Sequence, residues 1–195
     1  QKIAKYLSSP TKKTIANHRT EISGKLFGMW WEDENQNIFA SKRTENLLVN
    51  KDLPQFFKDI VYRFQFPNGM DKIQTTIDRK KNSIKLRPVA FILKALLIIE
   101  DKGFSITKHE VGYYILNCLQ VLQGRIDPEV VIDKILENRK KNIVKKVEYP
   151  GKKSSYNMQH ISELLNLIEL ANLIRQERTK NNVLIKLNRK ELPII

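Results

Sequence analysis

Residues 103–116, GFSITKHEVGYYIL, contain the clearest signal for the fold of this chain. Thr107 is followed three residues later by Glu110, and this pair forms a capping box, in which each side chain satisfies a backbone N–H at the start of a helix. Upstream, an apolar stretch that opens with Pro88 and closes at Gly103 is typical of a second helix. Only the short extended link 104–106 separates the two. The stretch therefore predicts a tight helix–helix connection.

A third helix is predicted at the right distance downstream. Asp127 followed by Pro128 is a standard helix start, because the aspartate can cap the first turn and proline lacks an N–H that would be unpaired there. Apolar residues at 131, 132, 135 and 136 form one stripe on this helix. Three helices at this spacing, with an extended link after the first, match a helix-turn-helix core of the winged type.

The opposite face of the third helix is a candidate for base recognition. Lys134, Glu137 and Lys141 lie opposite the apolar stripe, with Asn138 beside them. Lysine pairs with guanine acceptors, asparagine with adenine, and a carboxylate can accept from cytosine. We therefore predict that Lys134, Glu137 and Asn138 contact bases. The alternative is a solvated face of mixed charge.

A dense basic segment follows this helix directly. Residues 139–153, RKKNIVKKVEYPGKK, contain a single acidic residue, Glu148. Such a density of positive charge predicts contacts with a DNA backbone, which we assign to Lys140, Lys141, Lys145 and Lys146. A flexible linker is the alternative.

The last part of the chain is predicted to be a helix followed by a hairpin. The helix covers the apolar repeat in 158–170, and two extended pieces flank the turn 178–182. A helix followed by a hairpin repeats the layout of a winged domain. The turn residues Arg178, Lys180 and Asn181 are candidates for contacts with phosphate or a groove.

The N-terminal part combines a hairpin with two helices. Aromatic and apolar residues on both sides of the turn signal 34–37 predict the hairpin. Ser41 and Asp52 are the predicted caps of the two helices, and residues 56, 57, 60, 61 and 64 give the second helix a buried face. Arg19 and Lys25 are further candidates for base contacts.

The polar residues 68–84 are predicted to be a loop or linker between two subdomains. They include Arg79, Lys80 and Lys81 in a row. These three cations are candidates for phosphate contacts, with a solvated loop as the alternative.

The overall charge agrees with a polyanionic partner. Among 195 residues, 35 Lys and Arg stand against 21 Asp and Glu, which gives a formal net charge of +14. Abundant Lys, Ile and Asn are also expected from an AT-rich genome. The longest apolar run, 89–99, contains Lys94 and is too short to cross a membrane, and residues 1–30 lack a signal-peptide pattern. A single cysteine excludes an internal disulfide, so we expect a cytoplasmic location.

The sequence contains no set of residues that predicts catalysis or a metal site. The three histidines stand far apart, and His109 in the capping turn is interpreted as a surface residue. The acidic groups at 100–101 and 133–137 lack the strand context of a nuclease site. There is also no phosphate-binding glycine loop and no nucleophile elbow. We therefore expect no catalytic residue, metal or cofactor within this chain.

Four blocks resemble a known family. The N-terminal recognition region of AlwI-type restriction endonucleases is similar to four parts of this sequence. They are the hairpin and helix of 27–50, RFQFP at 63–67, KLRPVAF at 85–91 and the 103–116 helix. The resemblance extends over residues 19–195. It implies a Type IIS restriction or nicking enzyme in which two winged-helix-like subdomains recognise a short asymmetric sequence in double-stranded DNA. It also implies a separate nuclease domain that uses Mg²⁺.

The combined prediction is a mainly α protein with small β-hairpins, organised as tandem winged-helix (helix-turn-helix) subdomains. Residues 1–67 are the N-terminal subdomain, 68–84 a linker and 85–195 the second winged-helix region, with a third small subdomain from about residue 154 as an alternative for its end. Because the chain starts with Gln, we expect a recognition fragment whose catalytic domain or subunit lies elsewhere.

Two other functions remain open. A winged-helix transcription regulator or replication initiator would also bind DNA, but without a nuclease. A protein-interaction scaffold would use the basic surface to bind acidic proteins, and it would not distinguish one DNA sequence from another.

Overall fold

The computed structural model describes residues 19–68, 73–147 and 158–194, and the side chains of residues 20–68, 73–147 and 158–191. The fold is mainly helical with two small antiparallel sheets, as predicted. No helix within the described residues is both long and apolar enough to cross a membrane.

The N-terminal part begins with a π-helical segment, Arg19–Leu26, followed by the predicted hairpin. Strands β1 (Trp30–Glu32) and β2 (Ile38–Ala40) pair antiparallel, with Trp31 opposite Phe39. The Trp30 ring packs so closely on Gly24 that a Cβ there would lie 2.8 Å from the indole. Gly24 therefore lets the π-helical segment pack directly on the hairpin.

Helices α1 (Lys42–Asn50) and α2 (Leu53–Arg63) begin at their predicted caps. The Ser41 side chain accepts a hydrogen bond from the Thr44 N–H, and the Asp52 side chain accepts one from the Gln55 N–H. The predicted apolar face of α2 is confirmed, because Phe56, Phe57, Ile60 and Val61 are buried and Phe64 packs against the core.

Residues 68–84 contain a helix, which corrects the prediction of a loop there, while their role as a linker between two subdomains stays a prediction. Helix α3 covers Ile73–Lys81. The polar composition of α3 gives no hydrophobic pattern, but its side chains pair at helical spacing. Gln74 Nε2 donates to Asp78 Oδ1, one turn away. The Arg79 guanidinium also lies 4.1 Å from the centre of the buried Phe66 ring. These contacts favour a helix where hydrophobic periodicity alone is weak.

The central part is built from the helices α4 (Pro88–Asp101), α5 (Lys108–Glu110), α6 (Leu119–Leu122) and α7 (Pro128–Lys140). The two-residue strand β3, Ile106–Thr107, occupies the predicted extended link. Helix α5 continues without a break as a π-helical turn, Val111–Leu116. The capping box is confirmed, because the Thr107 side chain accepts from the Glu110 N–H while the Glu110 side chain accepts from the Thr107 N–H.

The C-terminal part follows the predicted order of a helix and a hairpin. Helix α8 covers Met158–Leu170, and strands β4 (Ile174–Arg178) and β5 (Val183–Leu187) follow it. A 3-10 helix, Arg189–Ile194, comes last. Strand β3 pairs with β5, so the sheet has the order β3-β5-β4. The hairpin is thereby fixed beside the start of α5.

One hydrophobic core joins the two predicted parts of the chain. Helix α2 packs against α4 and α8, and its buried side chains share a cluster with those of the sheet. The side chains of Lys58 on α2 and Glu191 form an ion pair at 2.6 Å, with both side chains mostly buried. The division into 1–67 and 85–195 stays a prediction about whether each part folds alone.

Candidate nucleic-acid interface

The capping turn at the start of α5 is the structural centre of the candidate site. Glu110 Oε2 accepts hydrogen bonds from the N–H and the hydroxyl of Thr107, at 2.8 and 2.9 Å. Arg139 of α7 donates from Nε to Glu110 Oε1 at 2.8 Å and from Nη2 to Oε2 at 2.7 Å. Burial raises the pKa of Glu110, but the bonds from Arg139 and Thr107 outweigh it and hold that pKa below its usual value. The turn is therefore rigidly held.

This turn presents Lys108 and His109 to two basic segments that lie far away in sequence. Burial and the nearby charge of Arg178, at the end of β4, lower the pKa of Lys108. Burial and the charges of Lys146 and Lys108 lower the pKa of His109. Three separate parts of the chain thus bring positive charge to one place.

The segment after α7 is held against this turn by close packing. Val147 is buried, and a Cβ at Gly112 would lie 2.6 Å from its Cγ2. The neighbouring Lys145 ammonium lies 5.9 Å from the centre of the Tyr113 ring. Tyr113, Val144, Lys145 and Lys146 line a shallow cavity of about 560 Å³. The absence of a side chain at Gly112 therefore helps to place Lys145 and Lys146.

We call Lys108, His109, Lys145, Lys146 and Arg178 the cationic cluster. Within the described residues, none of its Lys and Arg side chains forms an ion pair with a carboxylate. Elsewhere several cations are paired with carboxylates: Lys102 contacts Asp133 and Lys186 contacts Glu177. A surface that keeps cations together without counter-charges is suited to binding phosphates.

The hairpin turn adds exposed polar groups beside this cluster. Thr179 and Asn182 close the turn, since each donates a backbone N–H to the other residue. Lys180 and Asn181 lie between them and are exposed, as is Arg178. Lys180 and Asn181 lie in the turn as predicted, but Arg178 is the last residue of strand β4, where it pairs with Val183. Contact of these residues with DNA stays a prediction.

The prediction of an exposed face on α7 is partly correct. Lys134, Glu137, Lys140 and Lys141 are exposed. Glu137 lies between two lysines, 2.6 Å from Lys141 and 3.4 Å from Lys134, and these bonds lower the pKa of Glu137. Lys134 and Lys141 are therefore partly neutralised within the chain, whereas Lys140 has no such ion pair within the described residues.

The predicted placement of Asn138 on the exposed face is wrong. Its side chain is buried, at 7% exposure, and its amide donates to the Tyr114 hydroxyl at 2.7 Å. The reason is helical geometry: Asn138 is three residues after Ile135 and seven after Val131, so it belongs to the buried stripe. An amide in this position supports packing and is not available to a base.

The remaining predicted cations lie on other elements. Lys80 and Lys81 are exposed on α3, whose end is attached to α6 through a 2.7 Å bond from Gln123 Nε2 to the Asn82 carbonyl. Lys25 is exposed on the π-helical segment, and the side chain of Arg19 lies outside the described residues. None of these cations contributes to the lowered pKa of Lys108 or of His109.

Sequence reasoning missed two members of the cluster. Lys108 is not among the candidates predicted from the sequence, and His109 is predicted to be a surface residue, whereas in the structure it is half-buried and close to Lys108 and Lys146. The local signal was present, because a Lys-His pair directly inside a capping box lies at the start of a helix. Its importance depends on Arg178 and Lys146, which only the tertiary fold brings close.

The acidic groups are used in structural contacts. Glu100 accepts from the Leu187 N–H, and Arg189 pairs with Glu100 and Asp101. In the part of the chain that the structure describes, no three His, Cys, Asp or Glu side chains are placed to hold a metal ion.

Comparisons with known proteins identify the family. A model of the family "Restriction endonuclease BpuJI - N terminal" matches residues 1–195. A solved structure of modified DNA in complex with the BpuJ1 endonuclease binding domain is similar, with 49% identity and a TM-score of 0.88 over 98% of this chain and 67% of that one. No curated protein matches. The resemblance to a restriction endonuclease is thus confirmed, while the finer AlwI-type assignment is not. This chain belongs to the family of the N-terminal region of the BpuJI restriction endonuclease.

Proposed function

We propose that this chain binds double-stranded DNA sequence-specifically, as the recognition part of a Type IIS restriction or nicking endonuclease. The observation that carries the proposal is the cationic cluster, in which three chain segments place Lys108, Lys146 and Arg178 around one capping turn. Keeping like charges this close opposes folding unless a polyanion compensates them. The DNA complex of the similar binding domain supports the same function.

Phosphate contacts are assigned to exposed cations without a carboxylate partner among the described residues. Around the cluster these are Lys140, Lys145, Lys146, Arg178 and Lys180, and we add the half-buried Lys108, whose pKa the nearby Arg178 lowers. Arg79, Lys80 and Lys81 on α3, with Lys25 and Arg19, form a second possible line of contacts from the N-terminal half. Arg79 already lies over the Phe66 ring, so Lys80 and Lys81 are the stronger candidates there.

Two helices are candidates for base contacts. The exposed face of α7 carries Lys134 and Glu137, and the exposed face of α8 carries Glu163 and Asn166. We favour α8, because it packs against α5 and β4, which carry Lys108 and Arg178. Candidates on both helices make contacts within the chain, Lys134 with Glu137 on α7 and Asn166 of α8 with Gln176 of β4, so these contacts do not separate the two helices.

The proposed architecture is winged helix. In residues 88–187 the order is helix, strand, further helices and then a hairpin, and the first strand pairs with the second strand of that hairpin. Helix α8 comes immediately before the hairpin, so we assign it the role of recognition helix and assign β4 and β5 the role of the wing. The hairpin and helices of 19–63 are proposed as the first member of the tandem.

The cutting chemistry is assigned to a separate nuclease domain or subunit that uses Mg²⁺. A transcription regulator or replication initiator remains the alternative among DNA-binding functions, and a scaffold for acidic proteins is the alternative outside them.

Binding selection from a randomised duplex library, at two salt concentrations, tests the proposal. Recovery of an asymmetric motif at the higher salt supports direct base recognition. Binding without any recovered motif, lost steeply as salt rises, contradicts sequence-specific recognition.

Repeating the selection with single variants then identifies the reading helix. Asn166→Ala is expected to relax one position of the motif, and Lys134→Ala to leave the motif unchanged. A change of motif in Lys134→Ala or in the charge-preserving Lys134→Arg would instead assign base recognition to α7.

A further inference from the structure

His109 holds an unusual position in the cationic cluster. Among the side-chain nitrogen and oxygen atoms of the described residues, its Nδ1 is a buried atom that lacks a hydrogen-bond partner. Because this atom is buried, a ligand that approaches the half-buried ring from solvent would meet the other ring nitrogen, Nε2. The surrounding charge decides which ligand fits there.

The charges that act on His109 are positive. Lys108 on its own helix and Lys146 on the segment after α7 both oppose a positive charge on the imidazole, and Arg178 lies beyond Lys108. The adjacent Glu110 carboxylate is bonded to Thr107 and Arg139. Helix α8 and strand β5 also pack on this turn, and their titratable groups do not shift the pKa of His109. These groups are His160, Glu163, Glu169 and Lys186.

We propose that His109 is a phosphate-contact residue that takes up one proton from solvent when duplex DNA binds. The inference rests on the proposed DNA-binding function and assigns a role to a residue that this function alone does not require. A phosphate that reaches the cluster neutralises Lys108 and Lys146, which removes their repulsion of an imidazolium. The imidazolium in turn donates a charge-assisted hydrogen bond from Nε2, the ring nitrogen opposite the buried Nδ1, to a phosphate oxygen.

The sign of the pH dependence follows from this change. Burial and cations hold the pKa of His109 in the free protein below 6.5, and bound phosphate raises it. The gain in affinity is therefore complete at pH below the pKa of the free protein and is lost as pH rises through the pKa of the complex. Each unit of difference between the two pKa values corresponds to about tenfold tighter binding at low pH.

Two measurements test the inference, and the probe in both is a short duplex that contains the motif recovered by the binding selection. The first follows the His109 Cε1–H resonance of the wild-type protein against pH, with and without DNA, and needs no variant beyond one used for assignment. We expect a higher pKa in the complex. The second is isothermal titration calorimetry at pH 6.5 in buffers of different ionisation enthalpy, which counts the protons taken up on binding.

Variants connect the proton to its residue. His109→Gln is expected to bind DNA with markedly smaller proton uptake than the wild type, whereas the control Lys94→Gln, which removes one side of an ion pair with Glu129, keeps the wild-type uptake. If the His109 pKa does not rise in the complex, or if His109→Gln takes up as many protons as the wild type, the inference is wrong while DNA binding stands. If the wild-type protein does not bind the duplex at all, the proposed function fails and this inference with it.

Discussion

Arg139 and Glu110 form a two-bond ion pair that joins α7 to the capping turn of α5, with donor–acceptor distances of 2.8 and 2.7 Å. Arg139 also donates from Nη2 to the Ser105 carbonyl at 2.7 Å. The carboxylate that caps the helix is thus the one that anchors α7. This single contact therefore supports both the helix start and the placement of Lys108 and His109.

Glu110→Gln is expected to destabilise the protein. An amide keeps one acceptor but loses the charge-assisted pair with Arg139, and the cost should be roughly 1–3 kcal/mol. Urea unfolding of the variant and the wild type measures this difference. Glu137→Gln is the control, because its carboxylate lies on an exposed face of α7 and its loss should change stability little. Equal midpoints for wild type and Glu110→Gln would contradict the structural role.

The same pair predicts an acid-sensitive stability. The pKa of Glu110 in the folded protein lies below its value of 4.5 in the unfolded chain. Its contribution is therefore present above pH 4.5 and is lost as pH falls through the lower folded-state pKa. Thermal unfolding from pH 6 to pH 3 should show a smaller acid-induced loss of stability in Glu110→Gln than in the wild type. Parallel curves would exclude Glu110 as a main source of the pH dependence.

Gly112→Ala is expected to disturb both packing and DNA binding. The added Cβ would lie 2.5 Å from Ile161 Cδ1 and 2.6 Å from Val147 Cγ2, so a neighbour must move. Overpacking of this kind costs about 1–3 kcal/mol. Movement of Val147 would also shift Lys146, so duplex affinity should fall. An X-ray structure or amide chemical shifts of the variant would locate the change. Unchanged stability and affinity would contradict the proposed positioning role of Gly112.

Asn138→Ala is expected to lower stability without altering the recognised sequence. The buried amide donates to the Tyr114 hydroxyl, so its loss removes one buried hydrogen bond and should cost about 1–2 kcal/mol. Denaturant unfolding measures the cost, and binding selection measures the sequence preference. A changed motif in a stably folded variant would show that Asn138 reaches a base after all.

Local signals in the sequence were enough for most of the helices and strands. Each of these signals involves residues within four positions of one another. They are the Thr107–Glu110 capping box, the caps Ser41 and Asp52, and the hairpin turn at 34–37. Such signals do not depend on the rest of the fold. Helix α3 was missed because its stability comes partly from Arg79 stacking on Phe66, a contact between segments.

The candidate site was only partly predictable for the same reason. Lys145, Lys146 and Arg178 were chosen correctly as exposed cations, but nothing in the sequence places them beside Lys108. That proximity requires the pairing of β3 with β5 and the packing of Val147 on Gly112. Asn138 was misplaced because polarity was given more weight than its helical position behind Ile135. Helix α8 was predicted as a helix, yet its contact with α5 depends on the same long-range pairing.

The salt dependence of duplex affinity tests the central claim most directly. The comparison includes the wild-type protein and the variants Lys146→Ala and Arg178→Ala. The control is Lys94→Gln, which removes one charge from an ion pair between α4 and α7. If the cationic cluster contacts phosphates, each cluster variant binds more weakly and its slope of log K against log salt is shallower by about 1, while the control keeps the wild-type slope. Wild-type affinity and slope in both cluster variants would contradict the account, since DNA would then bind elsewhere on the protein.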